Sequence, residues 1–233
     1  MWQLLAKYEI CELPVRVSAI CAGEGVELYS YQKAAGLIDS LRLRELVTGN
    51  DGLAFCLKER RIILFDSSCS EARQRFTVAH ELGHFLLGHV TELTGTDGLQ
   101  RHMQGEKETQ ANIFASRLLA PLCVLWGMDI ASAGELQAVC NISAEVAQYR
   151  YNRLCLIRQR NEERGARTGQ GVLLSSGYER AVYRSFRPFI ENYRASFEPS
   201  ARSASSSAMP LATSSSDSMP TLGAPTRAAA GTK

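Results

Sequence analysis

The sequence lacks a Cys-x-x-Cys pair, a long unbroken apolar run and any strong bias of charge, and it is poor in histidine. Each lack excludes something. Seven cysteines is an odd number, and without close pairs they read neither as a disulfide framework nor as a structural zinc finger. Reduced thiols in a cytoplasmic setting are expected instead. The longest apolar stretch, Leu118 to Met128, holds Pro121 and falls far short of the ~18–20 residues a membrane span needs. The start of the chain, Met1-Trp2-Gln3-Leu4-Leu5-Ala6-Lys7, lacks the charged region, apolar core and cleavage site of a signal peptide. With 26 Lys+Arg against 24 Asp+Glu the net charge is +2, so nothing global draws the chain to nucleic acid or membrane.

What is present is an ordinary globular composition, 45% hydrophobic over 233 residues, which allows one sizeable domain and a smaller second one. The segment from Glu198 to Lys233 is the exception. It is dominated by Ser, Ala, Thr, Pro and Gly and has no aromatic residue, so a disordered tail is expected there. Gln159 to Gly171 is polar, holds three glycines and shows no apolar period, which reads as a loop or hinge. Leu4–Ile10 and Val15–Ile20 are short amphipathic stretches separated by Pro14. Leu53–Leu57 and Arg61–Phe65 are β-rich runs joined at Lys58-Glu59-Arg60, a hairpin signal. Ser68-x-x-Glu71 has the form of a capping box opening a helix that runs to about Gly88. A second helix is expected from about Lys107 to Ala120, stopped by Pro121. Its Ala111, Phe114, Ala115 and Leu118 make one apolar stripe.

Histidine is scarce, and its placement is informative. Three of the four fall within ten residues, at His80, His84 and His89. In His80-Glu81-Leu82-Gly83-His84 the two histidines are one helical turn apart on one face, where both imidazoles can reach a single zinc ion. Glu81 sits beside the first of them without being a ligand, which suits a general base acting on water held at the metal.

A catalytic zinc site usually takes three protein ligands, so a third is needed. The pattern with a third histidine six residues after the second fails, because Leu87 and Val90 stand where Gly and His are required. His89 is expected at the helix C-terminus, meeting free carbonyls. His102 reads as a solvated loop residue. The stronger candidate is Glu108, three before Ala111 and so on the inward face of the second helix. A carboxylate there would be buried without a partner unless it met a cation. Glu106 is a rival ligand. Asn112, four after Glu108, can accept the free ring N–H of a ligand histidine and fix its tautomer.

The segment RFTVAHELGHFLLGH (Arg75–His89), followed by EKETQANIFASRLLAP (Glu106–Pro121), resembles the ImmA/IrrE family of zinc metallo-endopeptidases. The second motif is carried by Glu108, Ala111, Asn112, Phe114, Ala115, Leu118, Leu119 and Pro121. The resemblance implies His80, His84 and Glu108 as metal ligands and Glu81 as the catalytic residue. Family members often carry an acidic residue where Gln110 stands. The implied fold is a soluble, α+β, zincin-like metallopeptidase domain with a small mixed sheet, an edge strand beside the active-site helix, and a helical, helix-turn-helix-like C-terminal region. The expected organisation is a peptidase domain at 1–125, a helical appendage at 126–195 and a tail at 196–233. The implied substrate is a DNA-binding repressor or antitoxin of a mobile element or prophage.

Beyond the motifs, Glu135 to Arg150 has helix-turn-helix phrasing. Leu136, Val139, Ile142, Val146 and Tyr149 are placed to pack two short helices across Asn141-Ile142-Ser143. A DNA reader needs a basic second helix, and Ser143 to Arg153 offers only two arginines and one glutamate. Packing on the peptidase domain is therefore favoured over DNA contact, although Tyr151 to Ala195 holds nine arginines against four acidic residues. Val182, Phe186, Phe189 and Ile190 suggest a last helix over about Gly177–Tyr193, complicated by Pro188. Tyr149, Tyr151, Tyr178 and Tyr183 are candidate donors to a reaction oxyanion. The reading from sequence is a zinc endopeptidase. The alternatives are a metal-containing transcriptional regulator or a toxin–antitoxin component, acting by binding DNA or a partner.

Overall fold

A computed structural model describes residues 1–90, 105–168 and 171–196. His102 and the segment after Glu198, both interpreted above, lie outside the described residues. In chain order the elements are α1 (Trp2–Lys7), α2 (Val17–Gly23), β1 (Val26–Ser30), α3 (Ala35–Ser40), α4 (Arg44–Val47), β2 (Gly52–Leu57), β3 (Arg60–Phe65), α5 (Glu71–Leu86) and α6 (Gly105–Leu119). They continue with α7 (Leu122–Met128), α8 (Ala133–Cys140), α9 (Ala144–Thr168), α10 (Gly177–Ser185) and α11 (Arg187–Ala195). The chain divides into two units. One, here the sheet unit, is Arg16–Leu119 with Asn141–Ser143. The other, here the helical unit, holds Met1–Val15, Ala120–Cys140 and the described residues from Ala144 onward.

The sheet unit is built on a mixed three-stranded sheet in the order β1-β3-β2. β1 runs parallel to β3, and β2 runs antiparallel to it through the expected hairpin. Lys58 takes the left-handed conformation that the tight turn requires (φ 54°). In β2, Leu53, Phe55 and Leu57 face one side, where they join Ile62 and Leu64 of β3 and Ala34, Ile38 and Leu43 in an apolar core. The alternate positions, Gly52 and Ala54, are small. That alternation lets α5 lie close on the opposite face of the sheet.

α5 is capped by Ser70, whose hydroxyl accepts the Arg73 N–H. The capping box read at Ser68 is two residues too early: the Ser68 N–H is held by Asp66 Oδ1 at 2.8 Å, and Ser70 is the residue whose side chain accepts the N–H three positions on. From Phe76 to Phe85 nearly every side chain of α5 is buried, because sheet, α2 and α6 all pack against it. β1 has no counterpart in the sequence reading. Its Val-Glu-Leu-Tyr-Ser run is short, and it is a strand only because β3 lies beside it.

In the helical unit, α7 packs with α9, α10 and α11, and α1 packs with α10. Gly127 of α7 leaves room for the Tyr183 ring, which also lies 6.0 Å from the Trp126 ring. Two expectations fail here. Gln159–Gly171 is not a loop at its start, since α9 is one 25-residue helix reaching Thr168. Its residues are mostly strong helix formers, only Gly165 of the three glycines falls inside it, and Gln159 donates to Glu163 one turn on at 2.9 Å. The last helix is broken in two at Phe186, with Pro188 in the first turn of α11, where a missing N–H costs nothing. The stretch Gly105–Met128 has the length and hydropathy to cross a membrane, but 83% of its most apolar window is buried within the protein.

Candidate metal centre

Three side chains converge between α5 and α6. His80 and His84, one turn apart on α5, bring their Nε2 atoms to 3.0 Å. Glu108 of α6 reaches both, with Oε2 3.2 Å from His80 Nε2 and Oε1 3.2 Å from His84 Nε2. Among the described residues this is the cluster of His, Cys, Asp and Glu able to hold a metal ion. Gly83 makes the approach of α6 possible, because a Cβ there would come to 2.9 Å from the Phe114 ring.

The donor set fits a tetrahedral ion. Bonds of about 2.0–2.1 Å place ligand atoms about 3.3 Å apart, close to the three observed separations. Two imidazole nitrogens cannot both present a proton to each other at 3.0 Å, and a carboxylate brings only lone pairs. A cation, whether a proton or a metal, must sit among them. The electrostatics agree. Burial alone would depress His80, but Glu108, Glu81 and Asn112 outweigh it and hold the imidazole above its ordinary value. Burial would raise Glu108, but hydrogen bonds from His80 and His84 hold its carboxyl well below the usual carboxylate range.

Asn112 Oδ1 lies 2.9 Å from His80 Nδ1. The amide oxygen only accepts, so His80 carries a proton on Nδ1, and the neutral ring then has its Nε2 lone pair to offer a metal. Glu106, the rival ligand, stays outside and accepts instead from the Gln110 amide at 3.3 Å. His89 lies just past the C-terminus of α5, as expected, but its ring nitrogens meet side chains rather than free carbonyls. Its ring is buried against His84, with Nδ1 atoms 3.1 Å apart, and its Nε2 lies 3.1 Å from Gln110 Oε1. Burial depresses its pKa, which favours the neutral ring. Sequence reasoning missed the contact that His89 and Gln110 make with the site. The available signal was the third histidine in the ten-residue window.

Glu81 stands behind the cluster, toward β2. Burial raises its carboxyl pKa above the ordinary value, the two imidazoles work against this, and the backbone N–H of Ala54 hydrogen-bonds the carboxylate. A Cβ on Gly52 would come within 3.1 Å of Glu81 Cγ and would collide with the Thr77 methyl, so the bare backbone of β2 is what leaves Glu81 its place. The four tyrosines considered as oxyanion donors belong to the helical unit. There, Tyr151 donates to the Ala131 carbonyl, and Tyr178 is exposed.

This constellation coincides with a family assignment. Residues 41–152 match the model of the IrrE N-terminal-like domain, peptidase M78. The chain contains an M78 peptidase domain. The matched segment takes in β2, β3, α5 and α6, and hence every member of the cluster. M78 domains are metallopeptidase domains, so a metal site and a protein substrate follow in general terms. The mixed α+β architecture with a small sheet is consistent with a zincin-like M78 domain. No curated protein matches the chain.

Proposed function

We propose that the chain is a zinc-dependent endopeptidase in which His80, His84 and Glu108 hold the metal, Glu81 is the general base and Asn112 orients His80. One observation carries this reading: the two histidine nitrogens lie 3.0 Å apart, each is 3.2 Å from an oxygen of Glu108, and Glu81 is adjacent to His80 in sequence. A purely structural site has no use for a carboxyl there.

When bound, zinc polarises the scissile carbonyl and lowers the pKa of water to about 7. Glu81 takes the proton of the attacking water and hands it to the leaving amine. Burial pushes its carboxyl toward the protonated form, which helps the second half of that task, while the Ala54 N–H keeps the anion available for the first. β2 is an edge strand of the sheet and the one beside Glu81, so its outer backbone groups are suited to pairing with an extended peptide. Such pairing would lay a scissile bond beside Glu81.

The finer proposal for substrate, a DNA-binding repressor or antitoxin, rests on the sequence resemblance. A cytoplasmic location is proposed from the seven cysteines, all free. Burial pushes the thiols of Cys21 and Cys123 up to about 12, where they are inert. The competing reading as a DNA-binding regulator draws little support from α8, Asn141–Ser143 and α9. Arg150, one of the two arginines at the start of α9, is buried and donates from Nε and Nη2 to the Ala120 carbonyl at 3.1 and 2.5 Å. Its charge therefore points inward.

The test is incubation of the zinc-loaded chain with a repressor encoded beside it and with an unrelated extended protein, with fragments read by mass spectrometry. Glu81→Gln should retain one zinc per chain and lose cleavage. Undiminished cleavage by the zinc-loaded variant would refute the role of Glu81.

A further inference from the structure

His84 has the same requirement as His80 but meets it differently. To offer Nε2 to a metal, a neutral imidazole must carry its proton on Nδ1, and a hydrogen bond at Nδ1 is what selects that form. For His80 the acceptor is the Asn112 amide oxygen. For His84 the group at Nδ1 is another imidazole, His89, at 3.1 Å. An imidazole can accept or donate there, so its own tautomer has to be set.

The neighbours set it. Gln110 Nε2 donates to Glu106 Oε1 at 3.3 Å, and an ionised carboxylate only accepts, so the amide oxygen is the end turned to His89. Gln110 Oε1 lies 3.1 Å from His89 Nε2, which must then carry the ring proton. That leaves a lone pair on His89 Nδ1, and His84 Nδ1 must donate to it. We propose that His89, held by Gln110, is a positioning residue that fixes His84 in its Nδ1–H tautomer and turns the His84 Nε2 lone pair into the metal centre.

The backbone supports this placement. α5 ends in a Schellman motif: Gly88 takes a positive φ of 70°, its N–H bonds the Phe85 carbonyl at 3.1 Å, and the His89 N–H bonds the His84 carbonyl at 2.8 Å. Position 89 is thereby folded back over position 84, and ring meets ring at 5.2 Å between centroids, edge to face. Both rings are buried, while Glu106 and Gln110 at the outer end of the relay are exposed. His80 and His84 are thus oriented by independent partners, an amide on α6 and a relay returning to α6.

The proposal rests on the metal-centre reading, and its test separates the two. Long-range proton–nitrogen correlation spectra of the full chain resolve the tautomers of only four histidines. The spectra are taken metal-free, at a pH high enough that all rings are neutral, and again with one equivalent of zinc. With zinc bound to the wild type, His84 should be protonated at Nδ1 and His89 at Nε2. The reverse tautomer at His89 would overturn the proposal without any variant. His89→Phe removes the acceptor, so His84 should drift to the Nε2–H form and zinc affinity, measured against a competing chelator, should fall roughly 10–100-fold. The His80 signals should stay unchanged. His89→Asn puts an amide oxygen near the lost Nδ1 and should recover most of the affinity. Wild-type zinc affinity and an unchanged His84 tautomer in a folded His89→Phe chain would overturn the proposal. So would His89→Asn binding no better than His89→Phe. Failure of the wild type to bind zinc would instead sink the metal-centre reading.

Discussion

Gly83 of α5 lies against the ring of Phe114 of α6, so close that a Cβ at position 83 would stand 2.9 Å from Phe114 Cδ1. The contact sets how near α6 comes to α5, and so whether Glu108 reaches the two histidines. Gly83→Ala would gain about 1 kcal/mol in helix propensity but cost about 1–3 kcal/mol in overpacking. Overpacking should win. Urea unfolding should show a net loss of stability, and zinc affinity should fall with it as Glu108 is pushed outward. A variant more stable than wild type would show that the helices have room to spare.

Gly52 plays the matching part for Glu81. In Gly52→Ala the new methyl meets the Thr77 methyl and lies 3.1 Å from Glu81 Cγ. Because the metal ligands are not touched, zinc content should be unchanged while kcat falls by at least about tenfold, roughly 1.4 kcal/mol of barrier. Adding Thr77→Ser, which deletes the colliding methyl, should restore part of the rate. Equal kcat in wild type and Gly52→Ala would detach β2 from the positioning of Glu81.

Removing the metal should lower the melting temperature of the wild type. A ligand at about 100 times its Kd stabilises by about 2.7 kcal/mol, so a chelator should shift the thermal transition by several degrees. His84→Ala loses one ligand atom of three and should show little response to chelator. Stoichiometric zinc in purified His84→Ala would overturn the ligand assignment.

A pH effect is expected away from the centre. Arg60 donates to both oxygens of Glu27 at 2.7–2.8 Å across β1 and β3, and Tyr29 donates at 2.7 Å. These bonds, that of Arg60 first, lower the Glu27 carboxyl from 4.5 to about 2. A depressed carboxylate contributes stability above its unfolded pKa and loses it as the pH falls through the folded one. The stability difference between wild type and Glu27→Gln should therefore be constant above about pH 5 and shrink toward zero near pH 2. It should be small, because the pair is exposed, and it should shrink with added salt. A difference that grows on acidification would contradict the assignment.

Much of the centre could be read in the sequence because its spacing is local. His80 and His84 are one turn apart on any α-helix, and Glu108 betrayed itself as a carboxylate on an apolar face beside Ala111. The hairpin of β2 and β3 was legible for the same reason, since neighbouring strands joined by a tight turn need no distant partner. Legibility ended where identity alone was ambiguous. The capping box was read at Ser68 because Glu71 follows three later, and only the folded chain shows Ser70 accepting the Arg73 N–H while Asp66 holds the Ser68 N–H. The polar run after Gln159 looked like a loop because it has no apolar period, yet strong helix formers carry α9 through it.

The sequence by itself determined that two histidines and a glutamate one residue from the first share a helix, and that a second helix bears a carboxylate with an asparagine one turn on. Helical period and the cost of burying a lone charge are enough for that. Only the tertiary structure decided which atoms meet. It brought Glu108 to 3.2 Å from both rings, placed a bare glycine of β2 under Glu81, and folded His89 back onto His84 through the left-handed turn at Gly88. Those contacts depend on packing between elements far apart in sequence, and on a proton's position that one hydrogen bond sets for the next. Spacing along one helix cannot encode either.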